Sequence, residues 1–261
     1  MGEPGPMLIA ERRRRILEHV HEHGYASFQE LAGALGTSES TVRRDLRSLV
    51  GEGLLHATRG GVTRPVLSAA SRPALPDTAA AEREAIADHA ATLVEPGTAV
   101  LLGPGRTTAA LARRLAKLPS LTVVTNSTLV VEALMGAPHI EVVAVGGTLR
   151  RSIHAFVGPI TEQHLEGLRG AQTFLSGDGV TPERGLTTPN VFAAATDQAF
   201  AAAAREVVVL ADHSKIGHDT MCQTVATERM RVLVTDSKAD PVMVDRLVQA
   251  QVDVHIADMN R

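Results

Sequence analysis

The chain has 261 residues, 44% hydrophobic and 21% charged, with a net charge of −3, which fits an ordinary globular protein of one large or two ordinary domains. That balance excludes disorder, collagen and a coiled-coil rod, and five Phe with one Tyr leave too little aromatic surface for a site of stacked rings. The lone Cys222 permits no intrachain disulfide and no cysteine-cluster zinc site, and no apolar run reaches the roughly 18 residues of a membrane span. Met1-Gly2-Glu3-Pro4-Gly5-Pro6 sets an acid and two prolines before the first arginines, the wrong order for a secretory signal, so a soluble, cytoplasmic protein is expected.

Three regions separate by texture: a domain at 7–64, a proline-rich linker at 65–78 and a second domain at 79–258. Residues 1–64 hold nine Arg against eight acidic residues, so net charge alone does not point to nucleic acid; placement says more. Helical spacing begins with Ile9, Ile16, Leu17 and Val20, the Arg12–Arg15 block wraps the polar side as a solvated face, and Gly24 is expected to cap the end. His19, His21 and His23 follow at a spacing that puts only the outer two on one helical face, so no metal site is expected. Ser27-Phe28-Gln29-Glu30 reads as a capping box opening a short helix with Leu31, Ala32 and Leu35, which Gly36 breaks.

A third helix restarts at Thr37-Ser38 and runs through Leu49. Val42, Leu46 and Leu49 face inward by i, i+4, i+7 spacing, while Arg43 and Arg47 share the outward face, flanked by Ser40 and Arg44. Ala32, Gly36 and Val42 stand where a helix-turn-helix needs a small residue, a left-handed turn and an apolar anchor. Leu54–Val62 reads as a hairpin, the shape of a wing. A small helical bundle with a solvated arginine face is the plainer alternative. The ordered combination favours DNA, with Ser38, Ser40, Thr41, Arg43, Arg44, Arg47 and Arg59 as the contact residues, because arginine pairs bidentately with guanine in the major groove.

From 79 onward, β-branched runs at 99–102, 121–125, 140–145, 173–175, 206–210, 232–235 and 252–256 alternate with helical patterns around 107–117, 127–135, 190–204 and 241–250. This is a βαβ rhythm with buried parallel strands. Glycine and hydroxyl clusters follow the strands: Gly103-Pro104-Gly105-Arg106-Thr107-Thr108, Asn126-Ser127, Gly146-Gly147-Thr148-Leu149-Arg150, Ser176-Gly177-Asp178-Gly179, Thr187-Thr188 and Asp212-His213-Ser214-Lys215. Clusters at strand ends are where open α/β sheets bind ligands, and the amides, hydroxyls and Arg106 suit an anion. Neither a P-loop nor a GxGxxG occurs, so no nucleotide and no cofactor is expected.

Thr41-Val42-Arg43-Arg44-Asp45-Leu46 and Gly60-Gly61 resemble the N-terminal domain of the DeoR family of bacterial transcriptional regulators. The resemblance continues through Arg106-Thr107-Thr108, Val123–Ser127, Gly146–Arg150, Phe156–Pro159, Asp178-Gly179, Gly185–Thr188 and Ala211–Lys215, and so covers nearly the whole chain. It implies a winged helix-turn-helix followed by a Rossmann-like α/β sensor domain related to ribose-5-phosphate isomerase. It also implies a repressor that binds double-stranded operator DNA as a dimer or tetramer, with a phosphorylated sugar or related metabolite as effector. The effector residues would be Gly105, Arg106, Thr107, Thr108, Asn126, Ser127, Gly147, Arg150, Asp178, Thr187, Thr188 and Lys215, and no catalytic residue is assigned.

Several positions depart from the family pattern. His56 stands at a wing position associated with arginine, Gly103-Pro104 replaces an Asp-Ser type pair, Phe192 and Ala193 replace acids, and Asp197 falls where a lysine is common. Two other readings stay open: a sugar-phosphate isomerase-like enzyme, and a DNA-binding protein whose second domain is only a scaffold.

Overall fold

The computed structural model describes residues 9–23, 25–51, 55–58, 60–63 and 79–259. Gly24, Arg59 and the 65–78 linker lie outside them. The chain divides into two compact units, Met1–Pro76 and Asp77–Arg261.

The first unit runs α1 (Ile9–His23), β1 (Tyr25–Ser27), α2 (Phe28–Leu35), α3 (Glu39–Gly51), β2 (His56–Thr58) and β3 (Gly61–Thr63). The capping box forms in full: Glu30 N–H donates to Ser27 Oγ at 3.1 Å, and Ser27 N–H donates to Glu30 Oε2 at 2.8 Å. Gly36 then ends α2 in the left-handed conformation, with φ of 59°, where a Cβ would be strained. Ile16 and Val20 of α1, Leu31 of α2 and Val42, Leu46 and Leu49 of α3 close one core with Ala26, Leu55 and Val62. The wing hairpin is present, and β1 adds a third strand in the order β1-β3-β2. That strand is absent from the sequence reading, because three residues carry no period.

The second unit contains α4 (Ala80–Ala91), β4 (Ala99–Leu102), α5 (Arg106–Leu115), β5 (Leu121–Thr125), α6 (Thr128–Leu134) and β6 (Ile140–Ala144). There follow β7 (Thr148–Arg150), β8 (Ala155–Val157), α7 (Pro159–Leu165), β9 (Gly170–Leu175), β10 (Gly179–Thr181) and β11 (Gly185–Thr188). The unit ends with α8 (Val191–Ala202), β12 (Ala204–Leu210), β13 (Cys222–Val225), β14 (Val232–Asp236), α9 (Pro241–Gln249) and β15 (Asp253–Ala257). Seven strands form a sheet in the order β15-β14-β12-β9-β4-β5-β6, and every pair within it is parallel.

Alternate residues of the central strands enter opposite cores, as the two-residue period of a strand requires. Val100, Leu102, Val123, Phe174, Val208, Leu210 and Val234 pack toward α4, α5 and α6. Leu101, Val124, Leu175, Val207, Val209 and Leu233 pack on the other face with Phe200 of α8 and Leu247 of α9. Burial on both faces explains the unbroken apolar runs. The strands wind outward from β4 through β5 to β6, and the chain then returns to lay β9 on the other side of β4. The carboxyl ends of β4 and β9 therefore flank a topological switch point, where open sheets of this kind leave a crevice. A small antiparallel sheet, β10-β11-β13, and the hairpin β7-β8 complete the unit.

Candidate functional site

In the first unit, α3 carries the expected surface. Val42, Leu46 and Leu49 are buried while Ser40, Arg43, Arg44 and Arg47 are exposed, so the helix presents a polar face opposite its anchor. At its start, the Ser38 hydroxyl accepts the Thr41 amide at 3.3 Å and lies 2.9 Å from both the Ser40 and Thr41 hydroxyls. Arg43 already has company: its guanidinium lies 4.1 Å from the Phe28 ring centroid and 3.2 Å from Glu39 Oε2. Arg59 falls outside the described residues.

The arginine block of α1 departs from the expectation of a solvated face. Arg12 Nε lies 2.5 Å from Asp45 Oδ2, with the two side chains 13% and 5% exposed, and Arg13 approaches the same carboxylate at 3.9 Å. Asp45 is thus the buried clasp between α1 and α3 rather than part of the outward face. A helical wheel of either segment alone misses it, because the partners are 33 positions apart.

In the second unit, the expected effector residues fall in the segments after β4, β5, β6, β9 and β12 of the large sheet and, for Thr187 and Thr188, on β11 of the small one. Gly105 caps α5 with φ of 150°, and a Cβ there would lie 3.2 Å from the Ser176 Cβ on the neighbouring strand end. Thr107 and Thr108 are buried in the first turn of α5, and the Thr108 hydroxyl donates to Gly105 O at 3.0 Å. Arg106 heads α5. It lines a groove of about 410 Å³ between α4, α5 and α6 with Arg83, Glu84, Arg113 and Glu132. Burial, reinforced by the Arg106 charge, pushes the Arg83 guanidinium below its ordinary pKa.

After β5, the Asn126 side-chain amide donates to Phe156 O at 2.7 Å, and the Ser127 hydroxyl accepts the Val130 amide at the start of α6 at 3.4 Å. Gly147 has φ of 154°, and a Cβ there would collide with the Thr161 hydroxyl. Arg150 stacks on the exposed Phe192 ring, 4.1 Å from its centroid, so one departure from the family pattern has a partner in an expected anion ligand.

After β9, Asp178 Oδ2 accepts the Thr188 hydroxyl at 2.9 Å and the Asp178 amide donates to Thr187 O at 2.9 Å, which gathers Asp178, Thr187 and Thr188. The Thr187 hydroxyl is engaged internally, donating to Gly179 O at 3.2 Å and accepting the Thr220 amide at 3.1 Å. The loop after β12 lies beside them through the Gly217 N–H to Val180 O bond of 2.8 Å, and it carries the half-buried Lys215. Asp236, absent from the sequence reading, anchors that loop: its carboxylate accepts the His213 amide at 2.7 Å and lies 3.0 Å from His213 Nδ1.

Asp197 on α8 is 4% exposed, and its Oδ1 has no hydrogen-bond partner. Burial first, and the nearby Asp178 charge second, push its carboxyl up to about 8. The sequence marks Asp197 only as a departure from a pattern. Its proximity to Gly103, with 3.9 Å between Asp197 Oδ1 and the place of a Cβ on Gly103, is a tertiary fact.

The family model of the DeoR-like helix-turn-helix domain matches residues 12–66, and that of the DeoR C terminal sensor domain matches residues 78–237. The HTH-type transcriptional regulator GlpR of Haloferax volcanii is 35% identical over 251 residues, covering 95% of this chain and 98% of that protein. The HTH-type transcriptional regulator IolR of Bacillus subtilis is 28% identical over 248 residues, covering 94% and 98%. Among solved structures, ribose 5-phosphate isomerase A of Methanocaldococcus jannaschii aligns over 51% of this chain and 52% of its own at 21% identity and a TM-score of 0.38, a likeness that bears on neither fold nor function. A helix-turn-helix unit with an arginine-faced third helix, an α/β unit with a polar sheet edge, and end-to-end similarity to named regulators converge: this chain belongs to the DeoR family of transcriptional regulators.

Proposed function

We propose that the chain is a repressor that reads double-stranded operator DNA with α3 and the wing, and that a small phosphorylated metabolite bound at the carboxyl edge of the large sheet modulates that binding. The observation that carries the first half is the division of α3 into a buried face of Val42, Leu46 and Leu49 and an exposed face of Ser40, Arg43, Arg44 and Arg47. Arginines on such a face can meet base edges, while the hydroxyls of Ser38, Ser40 and Thr41 at the helix start can meet phosphates. Arg59, next to Gly60 of the wing, would add a backbone contact.

The effector half rests on the switch point between β4 and β9. Gly105, Thr107 and Thr108 follow one strand, Asp178 follows the other, and Asn126, Ser127, Gly147, Arg150, Thr187, Thr188 and Lys215 come from neighbouring strand ends. Arg106 at the head of α5 would draw anions toward this edge. The protein would act in the cytoplasm as a homo-oligomer, a dimer or tetramer, matching the two-fold symmetry of an operator. It would bind its effector without turning it over. For the effector to act, it must bind the DNA-competent and DNA-incompetent states with different affinity.

The test is selection of bound duplexes from a random pool, followed by fluorescence anisotropy of the winner at fixed salt, with and without sugar phosphates. A preferred duplex bound at least a thousandfold above bulk DNA, and released by one sugar phosphate that is recovered unchanged, is the expected result. Equal affinity for all duplexes defeats the operator reading. Turnover of the sugar phosphate would instead favour an enzyme.

A further inference from the structure

Among the described residues, the buried oxygens without a hydrogen-bond partner are the Thr173, Thr220 and Thr235 hydroxyls and two carbonyl-type acceptors, Asp197 Oδ1 and Asn126 Oδ1, and these last two lie by the carboxyl ends of β4 and β5. Their residues are 4% and 1% exposed. A buried acceptor that has given up water and gained no donor is rare in a folded protein, and each instance asks for a reason.

Both belong to one side of one edge. Leu101 and Val124 enter the core on the α8 face of the sheet, and Gly103 and Asn126, the first residues past β4 and β5, are two positions beyond them, so continuing the strand period returns them to that face. Asp197 reaches the same place from α8, because its Oδ1 is 3.9 Å from where a Cβ on Gly103 would be. That Cβ would also lie 2.6 Å from Leu175 Cδ2. A side chain at Gly103 would have to push the Leu175 side chain aside, and the carboxyl that stands beside this position comes from another element, α8.

We propose that Asp197, standing from α8 beside the side-chain-less Gly103, is an effector-binding residue, and that with Asn126 it binds hydroxyls of a sugar or polyol. This rests on the reading of the switch-point crevice as the effector site. It adds that the hydroxylated end of the ligand, rather than its phosphate, is what these two residues recognise. With its carboxyl pushed up to about 8, Asp197 is a neutral acid at pH 7 with one O–H to donate and one oxygen to accept. One ligand hydroxyl answers both needs of Asp197, and a neighbouring hydroxyl of the same ligand can donate to Asn126 Oδ1. A phosphate dianion brings only acceptors: it could take the Asp197 proton but would leave the accepting oxygen of Asp197 and Asn126 Oδ1 unmet.

The experiment measures dissociation constants by calorimetry for wild type, Asp197→Ala and Asp197→Asn. The probes are D-ribose 5-phosphate, D-fructose 6-phosphate, D-glucose 6-phosphate, sn-glycerol 3-phosphate and inorganic phosphate. For the sugar or polyol phosphate that binds wild type, Asp197→Ala raises the constant at least tenfold and Asp197→Asn by less, while inorganic phosphate binds all three proteins equally. Should Asp197→Ala fail to fold, a wild-type constant in Asp197→Asn overturns the assignment. A folded Asp197→Ala that keeps the wild-type constant overturns it too, while leaving the effector reading intact. Parallel weakening of inorganic phosphate places Asp197 at the anionic end and overturns the hydroxyl assignment. No binding by wild type across the panel removes the effector reading and this proposal together.

Discussion

Each unit of this chain buries an aspartate to 4% exposure, Asp45 in the first and Asp197 in the second, and their surroundings could hardly differ more. Asp45 meets the Arg12 guanidinium at 2.5 Å and has Arg13 nearby. Asp197 Oδ1 has no hydrogen-bond partner, and the charge that acts on it is that of another carboxyl, Asp178. Equal burial thus conceals opposite meanings. A charge with its partner beside it is architecture, whereas a buried acid left unmet at the carboxyl edge of a sheet is a group in waiting.

The largest expected effect breaks the first half of that comparison. Asp45→Ala leaves Arg12 without its carboxylate and should destabilise the first unit by about 3 kcal/mol. Hydrogen exchange of α1 and α3 amides in the full-length protein would reveal it, and unchanged protection would return Arg12 to the surface. The next effect concerns Asp197 and pH. Its folded pKa of about 8 lies above the ordinary 3.8, so the stability it contributes is fully present below about pH 4, is lost as pH rises, and is gone above about pH 8. Asp197→Asn does not titrate. Between pH 5 and pH 8, wild type should therefore lose roughly 5–10 °C of melting temperature more than the variant. Parallel melting curves would mean that the carboxyl is ionised or partnered after all.

Arg43→Ala and Arg47→Ala should each weaken operator binding by about 1–3 kcal/mol and relax base preference, without altering the melting temperature by more than a degree or two. Anisotropy with operator variants checks both, and uniform weakening across sequences would move the arginines from bases to phosphates. The smallest effect sharpens the contrast with Arg12. Arg14 pairs with Glu18 at 2.6 Å on the exposed side of α1, and Arg14→Ala should cost only about 0.3–0.5 kcal/mol in urea unfolding.

Much of the fold could be read from residues alone, for reasons visible in the structure. The seven large-sheet strands announce themselves because runs such as Ala99–Leu102 and Leu121–Thr125 feed two cores at once. The face of α3 is legible because a single helix carries both its anchor and its arginines. Helix α4 escapes notice: Ile86 is its one large buried apolar residue, and Ala87, Ala90 and the charged Glu82 make up the rest of its buried face. High alanine helix propensity signals it better than amphipathic spacing does. The candidate effector site was legible only as loops following strands. Which loops meet depends on strand order, and that Asp197 stands beside Gly103 depends on how α8 packs, neither of which any local window contains.

Ser27 ends β1 and caps α2 at once, its backbone in register with Gly61 of β3 and its hydroxyl on Glu30. One residue thereby welds the wing to the helix-turn-helix, so the two cannot pivot independently. The first unit is in this sense a gauge with fixed jaws, its span between α3 and wing set once by folding. On the proposed reading, an effector acting on a homo-oligomer would move whole gauges relative to one another, altering the spacing of half-sites and sparing the grip on each.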